Sequence, residues 1–290
     1  MLESRAMKRD RLDKLVFERG LVESIDSARR YIKAGQVRVG GVRMDKPGTA
    51  VEIGAQLEVI ERQRFVSRGG TKLAGALQKM ELAVRGLKCG DVGASTGGFT
   101  DCLLQHGADR VYAVDVGKGL LHWRLRNDAR VVLVEETNAR YLSALPEVVD
   151  LIVVDAAFIS LQILLPVVAD WLTPVGGCIL ALVKPQFEAE RSQVEHGGVV
   201  RDPAVHRQVL LSAAGFAASA GYGATQVYPS VLRGPAGNVE FFVLYERGIG
   251  AAGFSGQVEQ AVNDAAAMPS LTRRVNEIRP PDVYPAGDAA

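Results

Sequence analysis

Five short apolar segments recur at intervals of about 20–30 residues through the middle of this 290-residue chain. They read KCGDVG, RVYAVDV, RVVLVEE, DLIVVDA and CILALV, with helix-like stretches at 99–106, 118–126 and 160–172 between them. Short apolar runs that alternate with helices indicate successive βα units, whose strands form a buried parallel sheet. VEFFVLYER, at 239–247, predicts one further strand. We therefore expect an α/β fold for this region.

Residues 1–61 follow a different pattern and predict a small α+β domain of their own. RLDKLVFERG places Leu12, Leu15 and Val16 on one face of a helix. ESIDSARRYIKAG predicts a second helix, which either Ser24 or Asp26 would cap. QVRVGGVRM alternates around a Gly-Gly pair, which is a hairpin signal, and QLEVIE predicts a last strand.

Positive charge is concentrated in this first domain. Residues 1–64 contain 14 Lys and Arg against 10 Asp and Glu, whereas the rest of the chain contains 20 against 23. The second predicted helix carries Arg29, Arg30 and Lys33 on the face opposite its apolar residues. A basic helix face favours a nucleic-acid partner, although an ordinary solvated surface has the same composition.

The remaining segments are expected to be simpler. RQRFV, at 62–66, predicts a linker, a second domain follows over 67–247, and the Ala-, Gly- and Pro-rich residues 248–290 predict a loosely structured tail. Cys89, Cys102 and Cys178 have no metal-ligand spacing, so we expect buried free thiols, no disulfide and no metal. Neither a secretory signal nor a membrane-spanning run is evident, and we expect a cytoplasmic protein.

The segment DVGASTGGFTD, at 91–101, has three interpretations. The first is the nucleophile elbow of a serine hydrolase, with Ser95, Asp155 and either His196 or His206 in the chain order of a triad. This elbow would follow the first strand of its domain, whereas hydrolase elbows lie deeper in the sheet. The extra glycines are also not required by an elbow, so we consider the hydrolase a minor alternative.

The other two interpretations are cofactor sites. Gly93, Gly97 and Gly98 do not have the spacing of a dinucleotide fingerprint, but they allow a ligand to approach the backbone closely. Asp115 ends the next predicted strand, where an acid binds the ribose hydroxyls of a nucleoside cofactor. This residue does not distinguish a nicotinamide dinucleotide from S-adenosylmethionine, and a cap or a solvated loop acid is the structural alternative.

Four charged residues lie at the ends of predicted strands and helices. Asp155 and Lys184 each follow a predicted buried strand, Glu240 begins the last strand, and Lys72 opens the helix after VSRGG. Residues at the ends of parallel strands face the crevice in which such folds bind ligands. Singly each fits a surface ion pair, but together they form a Lys-Asp-Lys-Glu series.

This series resembles the catalytic tetrad of FtsJ-type RNA ribose 2′-O-methyltransferases. VSRGGTKL, DVGASTGGFTDCLL, DVGKGLLHWRLRND, DAAFISL, LVKPQFE, HGGVVRDP and GPAGNVEFF together resemble the TlyA family, over about residues 9–247. That family combines an N-terminal S4 RNA-binding domain with a methyltransferase domain, and residues 9–61 have the S4 pattern. The resemblance implies a Rossmann-like class I methyltransferase fold that uses S-adenosylmethionine to methylate ribosomal RNA at cytidine riboses.

The resemblance also implies roles for individual residues. Lys72, Asp155, Lys184 and Glu240 would be catalytic, with Lys184 as the base. The cofactor would contact Gly93, Ser95, Thr96, Gly97, Gly98, Asp115 and Asn138, and RNA would contact Arg11, Arg29, Arg30 and Lys33. Phe187 is expected in the core rather than as a platform for a base. Family members are often described as haemolysins, so a membrane-active or purely RNA-binding protein with an inactive methyltransferase domain is the alternative.

Overall fold

The fold is that of a computed structural model, which describes residues 8–22, 24–60, 64–248 and 250–268. Its contacts divide the chain into two compact units, Met1–Arg64 and Phe65–Ala290. The first corresponds to the predicted N-terminal domain and the second to the predicted α/β domain.

The described residues of the N-terminal unit form two helices and two small antiparallel sheets. Its elements are β1 (Arg9–Arg11), α1 (Leu12–Glu18), α2 (Ile25–Lys33), β2 (Val37–Val39), β3 (Val42–Met44), β4 (Ala50–Glu52) and β5 (Leu57–Val59). One sheet has the order β3-β2-β5, and β1 pairs with β4. The Gly-Gly turn between β2 and β3 confirms the predicted hairpin, whereas β1 and β4 were not predicted.

The core of this unit follows the predicted helix pattern. Leu12, Leu15 and Val16 of α1 are buried, and they pack with Ala28 and Ile32 of α2. The choice between two caps for α2 is resolved, because the Ser24 side chain accepts a hydrogen bond from the backbone N–H of Ser27. Asp26 lies inside the first turn instead.

The second unit is built on a seven-stranded sheet. Its strands are β6 (Lys88–Val92), β7 (Arg110–Val114), β8 (Val131–Val134), β9 (Leu151–Val154), β10 (Cys178–Val183), β11 (Tyr222–Pro229) and β12 (Phe241–Arg247). The order is β11-β12-β10-β9-β6-β7-β8, and β12 alone runs opposite to the other six strands. All five predicted parallel strands and the predicted last strand are present, whereas β11 was not predicted.

Helices cover both faces of this sheet. They are α3 (Arg68–Lys79), α4 (Gly98–Gln105), α5 (Trp123–Arg126), α6 (Leu161–Ala169), α7 (Pro185–Glu188), α8 (Pro203–Ala213) and α9 (Phe254–Ala267). Helices α3 and α4 pack on one face, and α6, α8 and α9 pack on the other. The α/β prediction for this unit is therefore confirmed.

The strand order determines where a ligand can bind. From β6 the chain goes outward through β7 to β8, and it then returns to β9 on the other side of β6. Such a reversal opens a crevice beyond the carboxyl ends of the two central strands, which is the usual ligand site of open α/β sheets. The glycine segment after β6 and Asp155 after β9 both lie at this point.

Three sequence predictions need correction in this unit. The helix expected over 118–126 is only Trp123–Arg126, because the preceding loop packs on the glycine segment through a hydrogen bond from His122 N–H to the Thr96 carbonyl. Phe65, assigned to the linker 62–66, is a buried core residue. The N–H of Val66 also donates to the Asp101 carboxylate, so both residues belong to the second unit. Residues 62–63 lie outside the described residues.

The third correction concerns the tail at 248–290. Residues Phe254–Ala267 form helix α9, not a loose segment. Its buried residues Phe254, Val258, Ala261, Val262 and Ala265 pack into the core that covers one face of the sheet. The small residues that made the segment look loose are the ones that permit this close packing. Residues 249 and 269–290 lie outside the described residues.

Candidate functional site

The glycine segment turns tightly at the end of β6. Gly93 has a positive φ of +85°, and a Cβ added there would lie 2.7 Å from the carbonyl oxygen of Asp155. Any side chain at position 93 would therefore separate the carboxyl ends of β6 and β9. Ser95 also has a positive φ, of 49°, which is uncommon outside glycine. This backbone conformation leaves Ser95 and Thr96 exposed beside the crevice.

Gly97 and Gly98 have a different environment from Gly93. Both are buried, and α4 begins at Gly98. A Cβ on Gly97 would lie 2.3 Å from Leu125, and one on Gly98 would lie 2.2 Å from the Ser67 hydroxyl. Packing against the neighbouring loop and the start of α3 thus requires glycine at both positions. The accessible residues of the segment are Gly93, Ser95 and Thr96, whereas Ala94 is buried.

Asp115 follows β7 and braces this segment. Its carboxylate accepts hydrogen bonds from the backbone N–H groups of Ser95 and Gly117, both at 2.7 Å. Asn138, after β8, caps a short 3₁₀ helix by accepting a hydrogen bond from the N–H of Arg140 at 3.0 Å. Asp115, which is predicted to bind the cofactor ribose, therefore also fixes the backbone conformation of the glycine segment.

The structure brings Lys184 and Asp155 together. Lys184 follows β10, and its Nζ lies 2.6 Å from Asp155 Oδ1 and 3.1 Å from the Ala156 carbonyl oxygen. Both side chains are largely buried. Since β9 and β10 are parallel neighbours, the two residues leave the sheet at the same edge.

Lys72 and Glu240 form a second ion pair, which is more deeply buried. Lys72 does not open its helix as predicted, because α3 begins at Arg68 and Lys72 lies in the second turn. Glu240 directly precedes β12, and Phe241 pairs with Val183 at the end of β10. Glu240 and Lys184 therefore extend neighbouring strands at the same edge of the sheet.

The hydrolase interpretation has no support in this geometry. The Asp155 carboxylate pairs with Lys184, and His206 is buried in α8 with its Nε2 at 2.9 Å from the Val200 carbonyl oxygen. Burial lowers the pKa of His206. Within the described part of the chain, neither His196 nor His206 has a hydrogen bond to Ser95 or Asp155. The series Ser-Asp-His is present in sequence only.

Two aromatic rings lie beside Lys184. Phe187 is only partly buried and does not belong to a core cluster, so the prediction of a core residue is wrong. Its ring centroid is 5.2 Å from that of Phe158 and 5.9 Å from Lys184 Nζ. Phe158 is 91% exposed and has a positive φ of 63°. An exposed, conformationally strained aromatic next to buried charges is typical of a binding site.

Asp91, two residues before Gly93, was not among the predicted site residues. Its side chain is fully buried, and burial raises its pKa to about 7. Oδ2 accepts a 2.6 Å hydrogen bond from the Thr100 hydroxyl, while Oδ1 has no partner among the described residues. An unpartnered buried carboxylate oxygen fits a site that receives a donor from a bound ligand. The sequence feature that could have identified Asp91 is an acidic residue near the end of β6, the strand that leads into the glycine segment.

Asp91→Asn is expected to change how stability depends on pH. Because the folded state binds the Asp91 proton more tightly than the unfolded state, the free energy of unfolding should fall as pH rises from about 4 to about 7. The asparagine variant should lose this dependence and be more stable at pH 8, by up to about 4 kcal/mol. Denaturant titrations at several pH values would measure it. Identical pH profiles for the variant and the wild type would contradict the buried, protonated acid.

The predicted RNA-binding residues lie in the N-terminal unit. Arg11 and Arg29 both contact the buried carboxylate of Asp13. Arg30 donates a 2.7 Å hydrogen bond to the Ser27 hydroxyl, and Lys33 is exposed at the end of α2. Arg29, Arg30 and Lys33 thus share a helix, as predicted, while Arg11 precedes α1.

Comparison with known proteins agrees with this architecture. The S4 domain pattern matches residues 10–57, and the FtsJ-like methyltransferase pattern matches residues 65–247. The 16S/23S rRNA (cytidine-2′-O)-methyltransferase TlyA of Mycobacterium tuberculosis is 43% identical over 265 residues, covering 89% of this chain and 98% of that protein. This chain belongs to the TlyA family of FtsJ-like methyltransferases. The family and fold inferred from the sequence motifs are therefore confirmed.

Other relatives of this chain have different names. Hemolysin A of Brachyspira hyodysenteriae is 38% identical over 238 residues, which cover 81% of this chain and 99% of that protein. A solved structure from Streptococcus thermophilus, also named a hemolysin, has 39% identity and a TM-score of 0.68, covering 90% of this chain and 97% of that one. In the described part of this TlyA-family chain, no helix is both long enough and apolar enough to cross a membrane.

Proposed function

We propose that this chain transfers a methyl group from S-adenosylmethionine to the ribose 2′-hydroxyl of cytidines in ribosomal RNA, in the cytoplasm. The observation that carries the proposal is the pair of buried lysine–carboxylate contacts at the carboxyl edge of the sheet, beside the glycine segment. The name of the Mycobacterium tuberculosis relative, a 16S/23S rRNA (cytidine-2′-O)-methyltransferase, supports the substrate class.

The cofactor would lie beyond the carboxyl end of β6. S-adenosylmethionine supplies a methyl group on a sulfonium, which is an electrophile. Gly93 and the exposed Ser95 and Thr96, together with Gly97 and Gly98 at the start of α4, would line its methionyl part, and the unpartnered oxygen of Asp91 would accept from its ammonium. Asp115 would bind the ribose hydroxyls and Asn138 would lie near the adenine.

Lys184 is the residue we assign to the proton of the attacking 2′-hydroxyl. A ribose hydroxyl must lose this proton as it attacks, and a lysine accepts a proton only in its neutral form. Asp155 and the Ala156 carbonyl hold the Lys184 amine in a fixed position. Glu240 holds Lys72, the other lysine of the series, in the second ion pair. Positioning of the hydroxyl against the methyl group supplies much of the rate.

The exposed Phe158 ring and the adjacent Phe187 ring would hold the target base. Base–aromatic stacking contributes about 1–3 kcal/mol per base and tolerates any sequence. A base stacked on Phe158 would bring its ribose close to Lys184, because Phe187 links the two side chains. Nucleotides that are modified by enzymes are commonly turned out of their helix in this way.

Methyl transfer can be tested with the purified full chain, radiolabelled S-adenosylmethionine and isolated 16S and 23S rRNA, free or as ribosomal subunits. Alkaline hydrolysis leaves 2′-O-methylated linkages intact, and sequencing of the resistant positions would identify the nucleotides. We expect label at cytidine riboses. Label on bases only, or no label in any RNA or subunit, would refute the proposal. Calorimetry with S-adenosylmethionine and with NAD tests the cofactor separately.

The N-terminal unit is expected to supply RNA affinity without chemistry. Arg30→Ala combined with Lys33→Ala should weaken rRNA binding and reduce the slope of log affinity against log salt by about 1 for each phosphate that is no longer neutralised. Binding of S-adenosylmethionine should not change. Lys79→Ala, an exposed lysine at the end of α3, is the matched control for loss of charge. An unchanged salt slope in the double variant would refute this role for α2.

A further inference from the structure

Among the described acids of the N-terminal unit, Asp13 is placed unlike the others. Asp13, in the first turn of α1, is 1% exposed, although it lies in a domain of only about 60 residues with a small core. The backbone N–H of Asp13 donates to the Pro47 carbonyl, and that of Leu12 donates to the Thr49 carbonyl, so the 47–49 loop is bonded to the start of α1. Burial of a carboxylate is costly unless cations and hydrogen-bond donors offset the loss of water. The groups around Asp13 must therefore supply both.

That compensation comes from two arginines on different elements. Asp13 accepts from Arg11 Nε at 3.0 Å and Arg11 Nη2 at 2.7 Å, from Arg29 Nε at 3.1 Å, and from the N–H of Lys14 at 3.0 Å. These four donors match the acceptor capacity of an ionised carboxylate. The hydrogen bonds from Arg11 hold the pKa of Asp13 down at about 2, so the group stays charged at physiological pH.

Both guanidinium groups keep N–H donors that are not bonded to Asp13. Each guanidinium group has five N–H donors. Arg11 uses two of them, both on Asp13. Arg29 also uses two, one on Asp13 and one, from Nη1, on Asp26. Three donors on each side chain thus have no partner within the described ranges, and both side chains are about half exposed. The cluster of two arginines and Asp13 has a net charge of +1. Free donors on two guanidinium groups that share one anchor suit a phosphate.

We propose that Arg11 and Arg29 form a joint phosphate-binding site for RNA, and that Asp13 is the positioning residue that holds the two guanidinium groups together. The proposal rests on the proposed RNA-binding function of this unit. Without Asp13, like charges would separate the two arginines, which come from β1 and α2. With Asp13, the site is preorganised, and RNA binding does not have to order two long side chains.

Asp13→Asn distinguishes positioning from simple electrostatics, because the two predict opposite signs. Removal of one negative charge should strengthen RNA binding if only net charge matters. If Asp13 positions the arginines, the variant should bind purified 16S or 23S rRNA roughly tenfold more weakly, with a smaller salt slope. Asp26→Asn is the matched control, since it removes the same charge beside the same Arg29 from an 84% exposed position. It should bind as tightly as wild type or more tightly.

Two further variants keep the test decisive. Asp13→Asn introduced into the Arg11→Ala/Arg29→Ala chain should cause no additional loss, whereas an additional loss would mean that the domain is simply damaged and would overturn the proposal. Arg11→Lys/Arg29→Lys keeps both charges on exposed side chains, so it should fold, but it should lose affinity because an ammonium lacks the planar fork. Full affinity in this lysine variant, or tighter binding by Asp13→Asn, would also overturn it.

The proposed function and the Asp13 site are tested by separate experiments. Methyl transfer by the wild-type chain and the RNA affinity of Arg30→Ala/Lys33→Ala test that function without touching Asp13. If these behave as expected while Asp13→Asn binds like Asp26→Asn, only the positioning role is wrong.

Discussion

Lys184→Ala is expected to lower the rate of methyl transfer about 10²–10⁴-fold, which is the usual loss when acid–base catalysis is removed. The Lys184 amine is held by Asp155 and the Ala156 carbonyl at the carboxyl edge of the sheet. Its removal leaves the glycine segment untouched, so binding of S-adenosylmethionine should persist. Single-turnover rates with saturating cofactor and rRNA would measure the effect, and Lys79→Ala is the control for loss of a surface lysine.

Lys184→Arg should fail as well, and it is the sharper variant. A guanidinium keeps the positive charge and the contact with Asp155, but it stays protonated and cannot accept the hydroxyl proton. An arginine variant with near-full activity would show that position 184 acts only as a cation. Ser95→Ala should lose at most some cofactor affinity. If it instead abolished a hydrolytic activity, the hydrolase interpretation would replace the methyltransferase one.

Glu240→Gln is expected to cause the largest loss of stability in the second unit. It would leave the Lys72 ammonium buried without its counter-charge, which typically costs 3–5 kcal/mol of unfolding free energy. For a domain of this size, that corresponds to a decrease in Tm of roughly 6–20 °C. Tryptophan fluorescence reports on this unit alone, because Trp123 and Trp171 both lie within it.

The double variant Lys72→Met/Glu240→Gln separates stability from catalysis. Removal of both charges should restore most of the stability, since a buried ion pair stabilises little compared with well-packed neutral groups. Methyl transfer should remain lost if the pair takes part in the reaction. A double variant that is both stable and fully active would restrict Lys72 and Glu240 to a structural role. Wild-type stability in Glu240→Gln would mean that Lys72 is not buried as an ammonium.

Six of the seven strands of the second unit, all except β11, could be predicted because each is encoded locally. A fully buried parallel strand needs an uninterrupted apolar run, and CILALV and LIVV are buried at every position in the structure. Glycine at 93 was also readable, because a tight turn after a strand requires a positive φ. The same holds for the apolar faces of α1 and α2, whose spacing matches the helical repeat.

Local pattern was misleading where tertiary contacts decide the conformation. The segment before Trp123 resembles a helix but forms a loop, because it packs on Gly97 through Leu121. The chain after Gly253 resembles a loose tail but forms α9, because the sheet offers an apolar face that small residues can approach. Propensity is weak compared with burial in such segments.

The sequence by itself determined which charged residues end strands at the crevice, since that depends only on strand boundaries. It did not determine their partners. Lys72 and Glu240 are 168 residues apart, and they meet because β12 inserts antiparallel beside β10. Asp13 likewise draws together arginines from β1 and α2, and Asp91 acquires its raised pKa only when the sheet closes around it. Pairing and burial depend on the strand order and layer packing, which arise only from long-range contacts, so only the tertiary structure could decide them.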